Sequence, residues 1–233
     1  MMNNKTIIET KNLEKVYDDS KVAVHALRGV NLEVHEGEFM ALSGPSGSGK
    51  TTLLNIIGAL DHPTSGTVRV AGEDLSGFTK SELSRLRLDR IGFIFQAYNL
   101  IPVLTARENV EYVMLLQGVD EKERIERAEA ILEDVGLKDY INTRPNEMSG
   151  GQQQRVAVAR AIVSNPDVVL ADEPTANLDS ATSSSLLEMM REMNETHNAT
   201  FVFSTHDRLV MEYARRLVKL RDGQVEDDID KDA

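Results

Sequence analysis

The hydrophobic and polar positions of this chain follow two alternating patterns, short β-rich runs and longer runs in which apolar residues recur at helical spacing. Such alternation is typical of an α/β fold. The strands that the pattern predicts are residues 38–44, 68–72, 90–96, 167–173, 200–205 and 216–225. The helices that it predicts are residues 49–60, 122–137 and 150–163.

The strand pattern nearly vanishes between Asn99 and Val163. We therefore predict one domain over residues 6–229, made of an α/β core (about 6–96 and 164–229) and a mostly helical insert (about 97–163). The acidic end, "VEDDIDKDA", is expected to be solvated and frayed, with residues 230–233 as a tail outside the domain.

Composition narrows the possible functions. The 233 residues are 41% apolar, which suffices for a substantial core, and there is no cysteine for a disulfide or a thiolate metal site. The net charge of −12 argues against general binding of nucleic acid, which depends on Lys and Arg meeting phosphates. No apolar run approaches the roughly 20 residues that cross a bilayer, and the first residues lack a secretory signal pattern. We expect no membrane span in this chain.

The segment "GPSGSGKTT", which follows one predicted strand and opens a helix, fits the pattern of a phosphate-binding loop. Its glycines allow successive backbone N–H groups to point inward, the lysine supplies positive charge to the β- and γ-phosphates, and the threonine after it can ligate Mg²⁺. The alternative is a glycine-rich turn with an exposed lysine. The predicted nucleotide-binding residues are Gly44, Pro45, Ser46, Gly47, Ser48, Gly49, Lys50, Thr51 and Thr52.

Two adjacent carboxylates end the apolar run "DVVLADEP". A buried parallel strand delivers residues to its carboxyl edge, where open α/β sheets bind ligands, so Asp172 is placed to hold Mg²⁺. We expect Glu173 to point in another direction, because residues alternate along a strand, and to polarise the water that attacks the γ-phosphate. The alternative is a solvated strand end.

The segment "MSGGQQQR" places two glycines at the start of a helix, where they cost stability, and its three glutamines are expected to bury almost nothing. If this segment came from a second copy of the chain, Ser149 would offer a hydroxyl to the triphosphate. Gly150 and Gly151 would let bare N–H groups approach it, ahead of the positive end of the helix, with Gln152 in the same loop. An ordinary serine N-cap explains Ser149 but not the glycines.

Together, "GPSGSGKTT", "MSGGQQQR" and "VVLADEP" resemble the ATP-binding subunit of an ATP-binding-cassette (ABC) transporter, over about residues 6–225. The resemblance implies a P-loop NTPase (RecA-like) core with an antiparallel β subdomain and an inserted α-helical subdomain. It also implies ATP and Mg²⁺ as ligands. Two ATP molecules would lie in a head-to-tail homodimer, each between the phosphate loop of one chain and the signature loop, Ser149–Gln152, of the other.

Four smaller motifs add site residues by resemblance. Tyr17 resembles the aromatic residue that stacks on adenine, or is a core tyrosine. Gln96 resembles the glutamine that touches Mg²⁺ and the attacking water, or closes a strand at the surface. Asp179 resembles the aspartate that communicates across the dimer, or caps the next helix. His206 resembles the histidine that contacts the γ-phosphate, or is a plain loop histidine. The predicted catalytic residues are Glu173, His206 and Gln96, and the predicted metal ligands are Thr51, Gln96 and Asp172.

Residues 97–119 carry apolar positions that look exposed. In the family this neighbourhood forms the groove that receives a helix from an integral membrane permease; core packing accounts for some of them. "GALDHPTSGTV" and "LIPVLTARENV" are similar to the lipoprotein-release and macrolide-export subgroup. The resemblance implies an ATPase at the cytoplasmic face of the inner or plasma membrane, with the permease contacting the substrate. Alternatives are a soluble ABC ATPase that works on ribosomes or DNA, and a module that senses ATP without turnover.

Overall fold

The computed structural model describes residues 5–18 and 23–231. The strands in these ranges are β1 (Thr6–Tyr17), β2 (Val24–His35), β3 (Phe39–Ser43), β4 (Ser65–Val70), β5 (Glu73–Asp74), β6 (Ile91–Phe95), β7 (Val168–Asp172), β8 (Phe201–Thr205), β9 (Arg216–Arg221) and β10 (Gln224–Asp230). The helices are α1 (Lys50–Ile57), α2 (Lys80–Arg90), α3 (Ala106–Leu116), α4 (Glu121–Asp134), α5 (Gly150–Ile162), α6 (Ser180–His197) and α7 (Arg208–Tyr213).

A six-stranded sheet in the order β10-β9-β3-β8-β7-β6 forms the centre of the molecule. All neighbours in it are parallel except the edge pair of β9 and β10. Every residue of β3 and β8 is buried, as the continuous apolar runs of these strands predict. Because the parallel strands run in one direction, the loops after β3, β6, β7 and β8 meet at one edge of the sheet.

A second, antiparallel sheet in the order β2-β1-β4-β5 covers one face of the central sheet. The hydrophobic core on this face includes α1 and the side chains of Met40 and Leu42, whereas the core on the opposite face includes Phe39 and Ala41. This alternation along β3 is the two-residue period of a strand packed on both sides.

The core on the second face joins the central sheet to α3, α4, α5 and α6. Residues 97–163 contain α3, α4 and α5 and no strand. Helix α5 packs against β6 of the sheet and also against α3, so it links the other helices of this segment to the sheet. In the part of the chain that the structure describes, no helix is long and apolar enough to span a bilayer.

The predicted strand 216–225 is wrong as a single element, because it is a hairpin that turns at Asp222 and Gly223. Both turn residues have positive φ, 49° and 79°, as tight hairpin turns require. The prediction of a frayed acidic end is also wrong for the residues up to Asp230, since β10 pairs with β9 from Gln224 to Asp230. Arg216 donates to both carboxylate oxygens of Asp228, at 2.8 and 2.7 Å. Residues 232–233 of the predicted tail lie outside the described residues.

Candidate functional site

A cavity of about 850 Å³ lies at the carboxyl edge of the parallel strands. The phosphate loop forms its floor, and the loops after β6, β7 and β8 each contribute one residue to its wall. The end of β1 and the start of β2 complete the wall. The residues that line it are Tyr17, Val24, His25, Ala26, Pro45, Ser46, Gly47, Ser48, Gly49, Lys50, Thr51, Thr52, Gln96, Glu173 and His206.

The glycines of the phosphate loop hold backbone conformations that other residues avoid. Gly44, Gly47 and Gly49 have φ of 147°, 80° and 103°, and a Cβ on Gly44 would collide with the carbonyl oxygen of Leu220. Gly49 also caps α1 without any side-chain hydrogen bond. The first N–H groups of α1 are therefore not capped by a side chain and face the cavity, which suits an anion.

Lys50 lies at the first turn of α1 with only 8% of its surface exposed. Its Nζ donates to the carbonyl oxygens of Gly44 and Pro45, at 2.7 and 3.1 Å, so the ammonium group lies folded against the loop. The hydroxyl oxygen of Ser48 is buried and finds no hydrogen-bond partner among the described residues. The loop thus holds one positive charge and one unpaired hydroxyl close to the floor of the cavity.

Asp172 ends β7 beside Ser204 of β8. The pKa of its carboxyl group is raised, chiefly by burial and further by the neighbouring Glu173 carboxylate, while the positive charge of Lys50 acts in the opposite direction. Within the described part of the chain, the buried Asp172 Oδ1 has no hydrogen-bond partner. A buried carboxylate oxygen without a partner is costly, and a cation would satisfy it.

Glu173 leaves the line of the strand for a different reason from the one expected. Strand β7 ends at Asp172, and Glu173 turns away with a φ of 47°, in the left-handed region, so strand alternation does not apply. Its Oε2 accepts a hydrogen bond from the Thr205 hydroxyl at 3.0 Å. Its Oε1 lies 2.6 Å from the ring nitrogen Nδ1 of His206 and accepts a hydrogen bond from the backbone N–H of His206 at 3.2 Å.

The two remaining predicted residues of the wall also reach the cavity. Tyr17 is half-buried, and its hydroxyl donates to Asp61 Oδ2 at 2.9 Å. Burial and this carboxylate raise the pKa of Tyr17, so the ring stays neutral. Gln96 is exposed beyond the end of β6, and its backbone carbonyl oxygen accepts a hydrogen bond from Asn177 Nδ2 at 2.8 Å.

The signature loop does not line the cavity of its own chain. Ser149 is the N-cap of α5 and exchanges two hydrogen bonds with Gln152, a capping box. A Cβ on Gly151 would lie 2.5 Å from Thr182 Cγ2, and one on Gly150 would lie 2.9 Å from the Tyr98 hydroxyl oxygen. Contacts within the chain therefore leave no room for a side chain at either position, a reason for the two glycines that is independent of a partner chain.

Asp179 also acts as a cap in this structure. Its Oδ1 accepts from the N–H of Thr182 at 3.0 Å, and its Oδ2 accepts from the Thr182 hydroxyl at 2.7 Å. These bonds lower the pKa of the Asp179 carboxyl group. The residue does not line the cavity of its own chain.

The expectation that the three glutamines bury almost nothing is wrong. Gln154 is fully buried, and Gln153 Nε2 donates to the carbonyl oxygen of Met148 at 3.1 Å. Thr205, a buried residue whose hydroxyl donates to Glu173, was not among the predicted site residues. Its position beside His206 in "FSTHD" was the signal available for it.

A second surface, which we call the α3 groove, runs between β6 and the helices α2, α3 and α5, with a volume of about 360 Å³. Its apolar side chains include Leu60, which is 48% exposed. Elsewhere on α3, Tyr112, Leu115 and Leu116 are also exposed. The residues that line the groove are Leu60, Arg87, Leu88, Ile91, Gly92, Phe93, Phe95, Asn99, Val113, Arg160, Ala161 and Ser164.

Comparison with known proteins gives one consistent result. The family model described as ABC transporter matches residues 27–176. The chain is 49% identical over 222 residues to an uncharacterized ABC transporter ATP-binding protein of Thermotoga maritima, covering 95% of this chain and 94% of the relative. It is 46% identical over 222 residues to the macrolide export ATP-binding/permease protein MacB of Syntrophobacter fumaroxidans, covering 94% of this chain but 31% of that longer protein.

A solved structure matches the fold over almost the whole chain. It is the dimeric, post-hydrolysis state of the ATP-binding cassette MJ0796, from Methanocaldococcus jannaschii, bound to ADP and Pi. The TM-score is 0.87 at 43% identity, and the match covers 97% of this chain and 99% of the other.

Proposed function

This chain belongs to the ABC transporter family, and we propose that the cavity beside its phosphate loop is the place where it hydrolyses the ATP that drives transport. The chain is an ATPase, the nucleotide-binding subunit of a transporter. The observation that carries the proposal is the meeting of three elements at one cavity: the phosphate loop, the carboxylate of Glu173 and the imidazole of His206.

The phosphate loop binds the triphosphate of ATP through its inward N–H groups and the uncapped start of α1. Lys50 exchanges its two carbonyl partners for the β- and γ-phosphate oxygens, a stronger, charge-assisted contact. Tyr17 lines the same cavity and stacks on adenine.

Mg²⁺ fits the residues at the edge of β7. The unpartnered Oδ1 of Asp172 and the hydroxyl of Thr51 are oxygen donors of the kind that Mg²⁺ prefers, with the side-chain oxygen of Gln96 as a third. The described residues contain no group of three or more His, Asp or Glu able to hold a metal. This agrees with an ion bound through one carboxylate together with substrate phosphates. Such an ion would neutralise charge on the phosphate oxygens.

Glu173 acts as the general base. A water between Glu173 and the γ-phosphate gives a proton to the carboxylate as its oxygen attacks phosphorus, and the bond to ADP breaks to leave inorganic phosphate. Thr205 holds Oε2 of this carboxylate, and His206, whose side chain is 73% exposed, lines the cavity. His206 contacts the γ-phosphate, and Gln96 contacts the attacking water.

The test is Glu173→Gln, which keeps the size of the side chain and removes the base. We expect turnover to fall by about a hundredfold or more, the scale of general base catalysis, with ATP affinity close to that of the unaltered chain. Glu126→Gln, an exposed carboxylate on α4, serves as the control. Hydrolysis of ATP by Glu173→Gln at the control rate would remove Glu173 from this role.

A second chain completes the active centre, because among the described residues the signature loop lies outside the cavity of its own chain. Ser149 is exposed at the start of α5 and lies outside its own cavity. Its hydroxyl oxygen accepts from the Gln152 N–H, which leaves the hydroxyl proton and the N–H groups of Gly150 and Gly151 to meet the ATP of a partner chain. Two ATP molecules then hold a head-to-tail homodimer together, and loss of the γ-phosphate releases it. The dimeric state of the MJ0796 cassette supports this proposal.

The α3 groove is the docking site for an integral membrane permease. Its apolar side chains suit one face of an amphipathic helix, and MacB is named as an ATP-binding and permease protein in one chain. The transporter is of the macrolide-export or lipoprotein-release type. The permease holds this subunit at the cytoplasmic face of the membrane and itself contacts the substrate.

A further inference from the structure

Gln154 is a buried amide in the helix that begins with the signature loop. It is fully buried on α5, and its Nε2 donates to the carbonyl oxygen of Pro174 at 2.8 Å. Its Oε1 is also buried and has no hydrogen-bond partner among the described residues. A leucine or methionine would fill similar volume without an unpaired oxygen, so packing alone does not account for the amide.

The carbonyl that Gln154 binds belongs to the residue directly after Glu173. The backbone of Glu173 has a φ of 47°, which a non-glycine residue keeps only when its surroundings impose it. On one side the Glu173 N–H donates to the carbonyl oxygen of Ser204 at 2.9 Å. On the other side, Gln154 binds the carbonyl oxygen of the Pro174–Thr175 peptide, one residue beyond Glu173. These two bonds hold the turn that aims the Glu173 carboxylate into the cavity.

We propose that Gln154 is a positioning residue for Glu173 and that it connects the signature loop mechanically to the hydrolytic carboxylate. Ser149 caps α5, and Gln154 lies on the same helix about 7.5 Å further along its axis. A shift of the start of α5 therefore reaches Pro174 through a rigid element and one hydrogen bond.

This connection has a consequence that rests on the proposed dimer. The signature loop of a chain closes over the ATP of its partner, whereas Glu173 serves the ATP of its own chain. Gln154 thus links the two ATP sites to which each chain contributes. When the signature loop closes over the ATP of the partner, Gln154 holds Glu173 in position toward the ATP of its own chain.

The test is Gln154→Met, which keeps the length of the side chain and removes the donor. We expect kcat to fall about tenfold, the change that ~1.4 kcal/mol of lost transition-state stabilisation produces. The KM for ATP should stay within about twofold, because the phosphate loop is not altered. Gln154→Leu is a second variant with the same expectation, and thermal unfolding identifies which variants are folded.

Asn194→Leu is the matched control. Asn194 is another buried amide with an unpaired oxygen, and its Nδ2 donates to the carbonyl oxygens of Gly37 and Ala199, which precede β3 and β8 at the opposite edge of the sheet. We expect it to lower thermal stability like Gln154→Met but to leave kcat unchanged. Equal kcat in the Gln154 variants and in Asn194→Leu would overturn the proposal.

A second readout separates this inference from the proposed function. Glu173→Gln combined with Gln154→Met should still form the ATP-bound dimer, since the base is already removed and the signature loop is intact. Failure of the double variant alone to dimerise would show that Gln154 supports the signature loop instead of Glu173, and would overturn the proposal. Failure of Glu173→Gln itself to dimerise would count against the dimer, while the kcat comparison would still test Gln154.

Discussion

At the scale of single residues, Gly151 shows how one position meets two demands. Its missing side chain leaves room for Thr182 of α6 within the chain. In the proposed dimer it also leaves the N–H groups of α5 open to a partner's ATP. The first demand concerns the stability of the monomer, and the second concerns only the nucleotide-bound dimer. The two are therefore separable by substitution.

Gly151→Ala should lower the free energy of unfolding by ~1–3 kcal/mol, the range for overpacking, because the new Cβ meets Thr182 Cγ2. Adding Thr182→Ser removes that methyl group and keeps the hydroxyl that binds Asp179. We expect the double variant to regain most of the lost stability in denaturant unfolding, whereas Thr182→Ser alone should change it little. If the double variant were no more stable than Gly151→Ala, the steric explanation would fail.

The sequence predicts those site residues that lie in one short segment with fixed spacing, as in the phosphate loop. It also predicts Glu173, which directly follows an apolar strand, whereas His206 was expected from the resemblance of "FSTHD" to the family. It does not predict Gln154 or Thr205, since their partners lie 20 and 32 residues away in the chain and only the packed elements bring them together. The burial of Gln154 was not predicted, because glutamine side chains in proteins are mostly exposed to solvent.

At the scale of elements, the buried parallel strands were the most predictable part. β3, β7 and β8 are five residues long, and each begins with three or four consecutive apolar residues. β1 was not predicted because its buried and exposed positions do not alternate regularly, and its pairing with β2 contains several register shifts. β2 was also not predicted, although its buried and exposed positions alternate over residues 30–34. The hairpin of β9 and β10 was missed because its acidic second strand pairs with basic residues of the first, as in Arg216–Asp228.

The α3 groove is formed by several elements, and its proposed role is testable with two leucines of similar exposure. Leu60 lines the groove and is 48% exposed, whereas Leu115 is 50% exposed and does not line it. Leu60→Lys should prevent co-purification of an integral membrane protein with the tagged chain, because a charge enters an apolar contact. Leu115→Lys should retain the membrane protein, and both variants should keep the ATPase rate of the isolated chain. Equal co-purification by the two variants would contradict docking in the groove.

At the scale of the whole molecule, the proposed function makes each cavity half of an active centre. The phosphate loop and Glu173 belong to one half, and the exposed signature loop supplies the other half to a partner. ATP is then both the substrate and the main contact between the chains, so its hydrolysis removes the contact that holds them together. Movement of the helices that border the α3 groove would pass this opening to the permease.

The most direct test of this shared active centre is the solution mass of Glu173→Gln, measured by light scattering with Mg²⁺ and either ATP or ADP. We expect the mass of two chains with ATP and of one chain with ADP. Adding Ser149→Asp keeps an N-cap for α5 but places a negative charge against the partner's γ-phosphate, so this double variant should stay at the mass of one chain with ATP. A monomer in Glu173→Gln with ATP, or an unchanged dimer after Ser149→Asp, would contradict the account.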